Sequence, residues 1–471
     1  MSKPFPDDPF LKGNFAPLTM ECDAHDLPVR GEIPPGLAGR LFRNGPNPQF
    51  APRDRYHWFA GDGMVHGFHF ADGKVSYRNR WVRTPKFELE REAGRSLFGS
   101  FNNPLTSDPS VLGKDSSLAN TNIVCHGGRL LALEEGHLPV EMDPETLATK
   151  GNLDFGGKLR GPVTAHPKID PQTGELVFFA YNAKGRFTPW IAYYTADASG
   201  RVTRSELFET PFASMVHDFV ATDRHVLFPI LPLTGSLERA VNRKPAFAWE
   251  PELGSHIAIM PRNGTPADIR WFRAEGCYVF HPMNAWEADG KIYADVMKYE
   301  AAPLFPHADG TPGDPKKAIA RLARWTFDLD GNSDQFKQEY IDDLPGEFPR
   351  FDERRAGLAY EHGYFACYHR DGSPDRGVGG FNAIADFNAR TGERRIYALP
   401  SSDAVSEPVF VPRHASASEA DGWLLSVIYR GTENRSDLIV LDTDDISKGP
   451  VAIIELAHRV PFGFHGNWLP A

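Results

Sequence analysis

With 471 residues, 41% of them hydrophobic, the chain is long enough for a large core. No apolar run approaches the roughly 18 residues that a membrane-spanning helix needs. A net charge of −11 and a pI near 5.9 exclude the strongly basic face that nucleic-acid phosphates require. Cys22, Cys125, Cys277 and Cys367 are scattered with no CxxC pair, so neither a disulfide framework nor a thiolate zinc site is expected.

The start, Met1-Ser-Lys-Pro-Phe-Pro, lacks the basic and apolar segments of a signal peptide, and the mean hydropathy is −0.40. A cytoplasmic location with at most peripheral membrane contact is the expectation. Beyond an N-terminal extension of about 1–35, glycine and proline recur as punctuation rather than in one linker. Helical spacing is rare, with short candidates at Pro35–Leu41, Leu237–Asn242 and Pro315–Leu322. Turn pairs run through the chain: Asp72-Gly73, Thr173-Gly174, Ser199-Gly200, Asp289-Gly290, Asp330-Gly331, Thr391-Gly392 and Asp421-Gly422. Several precede β-rich runs, among them Lys74–Tyr77, Glu175–Phe179 and Lys291–Val296, the pattern of antiparallel hairpins.

So many hairpins without a dividing linker predict one all-β domain over residues 1–471. A sandwich seldom reaches this length undivided, whereas a seven-bladed β-propeller with blades of roughly sixty residues does. Ordinary blades take about 40–50 residues, so short helices and long loops should cap one face.

Four histidines mark the repeat. His166, His217, His281 and His465 are separated by 51, 64 and 184 residues, and the last gap is close to three blades. Radial repetition would bring all four to one point. Three of them follow apolar residues at what read as strand ends, where an inward imidazole loses solvent and needs a partner. Four unrelated core histidines, each bound to a carbonyl, remain the plain alternative. Neutral imidazoles suit iron, copper, nickel or zinc, and a quartet leaves two positions open on an octahedral ion. Ligand histidines usually rest their other nitrogen on a carboxylate, for which Glu135, Glu353 and Glu407 are candidates. His57, His66, His69, His126, His137, His362, His369 and His414 read mostly as surface or capping residues. A metal-free scaffold and a zinc hydrolase are the readings from other classes; the hydrolase would ordinarily keep three ligands and a water.

The chain resembles the carotenoid cleavage oxygenases, also called the retinal pigment epithelium membrane receptor family. The resemblance rests on Arg43-Asn-Gly-Pro-Asn-Pro, Trp58-Phe-Ala-Gly-Asp-Gly-Met-Val-His66, Asn120-Thr-Asn122, Ala165-His-Pro-Lys168, Val216-His-Asp-Phe219, Phe280-His-Pro-Met-Asn-Ala-Trp286, Ser406-Glu-Pro-Val-Phe, Leu438–Asp442 and His465-Gly-Asn-Trp468. It implies a seven-bladed propeller, one Fe(II) per chain on the four histidines, and cleavage of an alkene by O2 to two carbonyl products without an organic cofactor. It further implies Glu135, Glu353 and Glu407 as acceptors for His217, His281 and His465, leaving His166 without a carboxylate partner. Phe59 and Phe280 are the expected walls of an apolar pocket, and Thr121 is expected to crowd one open iron position.

Lys86–Arg91, Ser96–Gly99, Trp249–Ser255 and Arg270-Trp271 look closest to the stilbene- and phenylpropene-cleaving branch. The tyrosine and lysine with which that branch grips a 4-hydroxyl correspond here to Phe101 and Glu134. An apolar ring cannot hydrogen-bond a phenol, and a carboxylate opposes a phenolate. The expected substrate is therefore a carotenoid or apocarotenoid, with an aryl alkene as the alternative. Oligomeric state is not legible.

Overall fold

Paired residues of positive φ set the hairpins. Asp72 and Gly73 (51° and 70°) and Asp289 and Gly290 (49° and 68°) form the tight two-residue turns that such pairs favour. Gly63–Ala71 thereby returns antiparallel as Lys74–Trp81, and Tyr278–Ala288 as Lys291–Tyr299. The computed structural model describes residues 3–99, 104–159, 161–369 and 380–471.

Its strands form a seven-bladed β-propeller of sheets four to six strands wide, with one extra ribbon of Leu233–Gly235 and Phe247–Trp249. In chain order the blades open with Gly39–Pro46, Asn122–His126, Lys168–Ile169, Val220–Ala221, Tyr278–Ala288, Gly346–Phe351 and Ala404–Val405. Gly466–Pro470 returns to the first blade and pairs with Gly39–Arg43. Burial grades across a blade. Leu176–Ala180 is buried throughout, while Val202–Glu209 at the blade edge alternates between covered and solvated side chains.

By packing, the chain divides into two units. One comprises Met1–Gly156, Arg376–Ile384 and Ile396–Ala471; the other, Gly157–Asp375 and Ala385–Arg395. The first holds a core in which Phe68, Tyr77, Trp423, Leu438, Val440 and Ile454 pack together. The second is lined by residues such as Phe179, Phe228, Ile257, Phe272, Trp325 and Phe327, all nearly inaccessible.

Several local expectations change. Pro35–Leu41 turns and enters a strand, and Pro315–Leu322 is turns followed by the strand Arg321–Asp328; only Leu237–Val241 is helical. The longer helix, Pro85–Ala93, lies in a segment without clear apolar spacing. It is defined by its ends: Thr84 caps it, Pro85 opens it, and Gly94 at φ 66° stops it. The N-terminal segment is not a free extension, because Asp23–Ala24 joins the first blade and Val29–Gly31 the last. The four cysteines are free. No helix among the described residues is long and apolar enough to cross a membrane.

Phe68 has no exposed surface and meets Tyr77 at 5.1 Å. Phe68→Ala is expected to cost about 3–5 kcal/mol, as cavity-forming aromatic truncations do. Denaturant unfolding of the variant against the parent checks this.

Candidate metal centre

Three of the histidines stand at or near the first strand of a blade, and the fourth precedes the strand that closes the first blade. His166 and His217 lie just before Lys168–Ile169 and Val220–Ala221, and His465 directly precedes Gly466–Pro470. His281 sits within Tyr278–Ala288, where the register shifts between Val279 and Pro282. From the blade of His281 to that of His465 is three blade steps, which accounts for the long gap.

One ligand atom from each of His166, His217, His281 and His465 lies within 4.8 Å of the others, and no thiol or carboxylate belongs to the group. His166 Nε2 stands 3.1 Å from His217 Nε2, which stands 3.2 Å from His281 Nε2. Unprotonated ring nitrogens at that separation face lone pair to lone pair unless a proton or cation lies between them. Nitrogen ligands about 2.1 Å from one ion and at right angles would be about 3.0 Å apart. The donors therefore fit a divalent transition metal.

The opposite ring nitrogens are held from behind. His281 Nδ1 donates to Glu347 Oε2 at 2.6 Å, and His465 Nδ1 to Glu407 Oε1 at 2.8 Å. Each carboxylate is itself tied. Glu347 also accepts from the Tyr299 hydroxyl (3.1 Å) and the Phe348 amide, and Glu407 from the Gly466 amide (2.8 Å). Burial, reinforced by Glu347, keeps the Tyr299 phenol protonated far above its ordinary range, so it remains a donor. Burial pulls the Arg43 guanidinium down to about 10, against the opposing pull of the Glu407 carboxylate. At His166 the Thr164 hydroxyl accepts from the backbone amide (2.9 Å), and the Asp218 carboxylate lies 3.7 Å from Nδ1.

Glu353 is therefore a misassignment. Its side chain is 59% exposed on a single turn and pairs with Arg350, whereas Glu347, 4% exposed, reaches His281. The signal for Glu347 is a strand irregularity: the register shifts between Glu347 and Arg350, and Phe348 takes a left-handed φ of 55°. Phe348 then stacks on the His281 ring, with centroids 5.5 Å apart. Glu135 is partly buried on the loop after Arg129–Leu133.

Phe280 is buried edge-on against the His217 ring at 5.0 Å, so it braces that imidazole. Phe59 meets Phe464, the neighbour of His465, at 5.6 Å. Thr121 donates to the Asn120 side chain, and its carbonyl accepts from the His465 amide at 3.2 Å. Glu134 is buried, with Oε1 accepting from His137 Nδ1 (2.6 Å) and the Leu118 amide (2.7 Å). Phe101 lies outside the described residues. His57 and His66 are not surface residues. Burial pushes His57 down to about 4 as it caps the Phe59 amide, and His66 is enclosed with Tyr77 at 2.7 Å.

A fold of this kind with a largely buried four-histidine cluster narrows the class to metal-dependent propeller enzymes, and comparison with known proteins takes it further. Residues 15–470 match the retinal pigment epithelial membrane protein family, and the chain belongs to it, the family of the carotenoid cleavage oxygenases. Isoeugenol monooxygenase of Pseudomonas nitroreducens is 43% identical over 98% of both chains. The crystal structure of Pseudomonas brassicacearum lignostilbene dioxygenase superposes with a TM-score of 0.96 at 40% identity, covering 100% of both. A cobalt-substituted apocarotenoid oxygenase of Synechocystis superposes at 0.85 with 30% identity, over 97% of both.

His281→Ala is expected to abolish stoichiometric metal retention, read by elemental analysis of the purified protein. Glu347→Gln is expected to weaken metal affinity about 10- to 100-fold, while Glu353→Gln leaves it unchanged. Competition with a chelator measures both.

Proposed function

We propose that this chain is a non-haem Fe(II) dioxygenase that cleaves the side-chain double bond of an aryl alkene, a phenylpropene or stilbene, to carbonyl products. The reaction is supported by the largely buried quartet of imidazoles, and the substrate class by the gradient of likeness. Identity is 43% and 40% to proteins named for isoeugenol and lignostilbene, against 38% and 30% to proteins named for carotenoid cleavage and an apocarotenoid. The polyene preference drawn from Phe101 and Glu134 accordingly gives way to its alternative.

Ferrous iron, when bound, supplies the one-electron chemistry through which O2 reacts with a closed-shell alkene. The balance closes without a reductant, because the C=C bond yields the four electrons and each carbon leaves as a carbonyl. The chain's own work is to hold and to shield. His166, His217, His281 and His465 hold the ion through one ring nitrogen each, while Glu347 and Glu407 keep the Nδ1 protons of His281 and His465 in place. Glu135 is assigned by resemblance to His217. Phe59, Phe280 and Phe464 offer apolar surface beside the ligands, which favours a planar conjugated substrate and excludes water.

The carboxylate of Glu134 need not repel a phenol. One oxygen is engaged by His137 and Leu118, and a neutral hydroxyl can donate to the carboxylate that remains. What it disfavours is the phenolate, so the substrate is expected to bind protonated.

Incubation of iron-loaded protein with isoeugenol, a 4-hydroxystilbene and an apocarotenal, followed by mass spectrometry of the products, tests the assignment. Aromatic aldehydes from the first two, with little or no polyene cleavage, are expected. Cleavage of the apocarotenal alone would overturn the substrate class, and absence of oxygen uptake with every alkene would overturn the reaction.

A further inference from the structure

In the reaction proposed above the alkene supplies every electron. An oxidant that meets the ferrous centre with no alkene present must take its electrons from the protein, and the imidazoles stand nearest. The blade of His281 offers better donors, because phenols and indoles lose a single electron more readily than imidazoles do. Met283 follows His281 by two residues on Tyr278–Ala288 and is buried. It lines a cavity with Lys168, Phe219 and Pro282, each one or two residues beyond His166, His217 or His281. Its sulfur stands 3.0 Å from the Tyr360 hydroxyl, which donates to Asp295 Oδ2 at 2.7 Å. Asp295 has no exposed surface and is gripped by Arg324 at 2.8 and 2.9 Å. The Tyr360 ring meets Trp286 at 5.7 Å, and Trp286 stacks on Tyr293 at 5.4 Å across the hairpin. Trp286 and Tyr293 are half-buried, so the series leads from the ligand-bearing strand towards solvent. Arg324 lies 4.8 Å over Trp286, but its charge is paired with Asp295.

We infer that Tyr360, Trp286 and Tyr293 form a one-electron escape route that draws oxidising equivalents away from the histidines when no alkene is bound. The oxidant is a peroxide; hydrogen peroxide takes up two electrons and two protons to give two waters. Tyr360 loses the first electron, and its O–H bond breaks as the proton passes to Asp295. Without that acceptor the oxidised phenol would remain a strongly acidic cation in an interior that disfavours charge. Trp286 then returns an electron to Tyr360 as Asp295 returns the proton, and Tyr293 refills Trp286 while losing its own phenolic proton to solvent. The second equivalent stays on Tyr360. One peroxide and two phenols thus become two waters and two phenoxyl radicals. This role rests on the ferrous centre proposed above and concerns its behaviour without substrate.

The test mixes full-length, Fe(II)-loaded protein with hydrogen peroxide and no alkene. Freeze-quenched samples are read by electron paramagnetic resonance, and oxidised or spin-trapped residues are mapped by peptide mass spectrometry. The parent is expected to give a tyrosyl signal and a trap adduct on Tyr293. Tyr360→Phe is expected to lose most of that signal and the adduct, with a several-fold rise in oxidised His281. Trp286→Leu should keep the tyrosyl signal and lose the Tyr293 adduct. An unaltered signal and adduct in Tyr360→Phe overturns the route, as does a parent in which only histidines are oxidised. Should Tyr360→Phe fail to fold, Trp286→Leu decides alone, and a Tyr293 adduct that persists there overturns the proposal. Parent protein that binds no Fe(II) overturns the metal centre itself, whereas iron-loaded protein that cleaves an alkene yet forms no radical with peroxide overturns only this inference.

Discussion

An imidazole can offer one nitrogen to a cation only while the other keeps its proton. The site is built around that constraint, because four rings, three of them buried and one partly covered, must each be held in one tautomer and one orientation. The fold supplies fixed acceptors for this purpose. Glu347 and Glu407 each take an Nδ1 proton, and each is pinned by further donors so that it cannot turn away. A buried carboxylate is costly without such bonds. The same bonds that fix the histidines thus make their acceptors tolerable, and the Arg43 guanidinium places a compensating charge near Glu407.

The blade repeat is what brings such distant residues together, and it was readable because spacing is a property of the chain. The gap of 184 residues between His281 and His465 corresponds to three blade steps, and the hairpin pairs at Asp72-Gly73 and Asp289-Gly290 turn where their φ preferences require. Glu347 was not readable in the same way. Alternation along Gly346–Phe351 assumes a regular strand, but a shift in register and the left-handed Phe348 re-aim the side chains. Glu353, six residues on, has a similar local composition and ends in solvent beside Arg350. The helix Pro85–Ala93 escaped for a related reason, since its caps rather than an apolar stripe define it.

Charge is abundant in the blades yet is kept in closed groups. Lys86 lies between Asp62 (2.6 Å) and Glu90 (2.9 Å), and Glu90 also accepts from the amides of Leu97 and Phe98. Arg324 forks onto Asp295, which also accepts from the Tyr360 hydroxyl. Such groups fasten loops and strands without lending a free proton donor or base to the reaction. That suits an alkene cleavage, for which no side chain has to exchange a proton with the substrate. At the histidine cluster the same separation holds: the clustered side chains are imidazoles, and Glu347 and Glu407 stand one layer behind them.

The apolar half of the design reaches from the first residues of the chain to its last. Phe10 and Phe15 pack on Trp58, at 6.3 and 5.2 Å between ring centroids, and Phe15 also meets Phe462 at 4.9 Å. Trp58 in turn lies 4.4 Å from Phe464, the residue before His465. A segment that composition alone reads as an extension therefore packs into the aromatic cluster beside His465. Aromatic rings placed edge to face gain from one another beyond their buried area, which makes a continuous cluster a rigid barrier as well as a dry one. The N-terminal turns and the segment leading into the closing strand thus share one aromatic cluster, which ends on the residue next to His465.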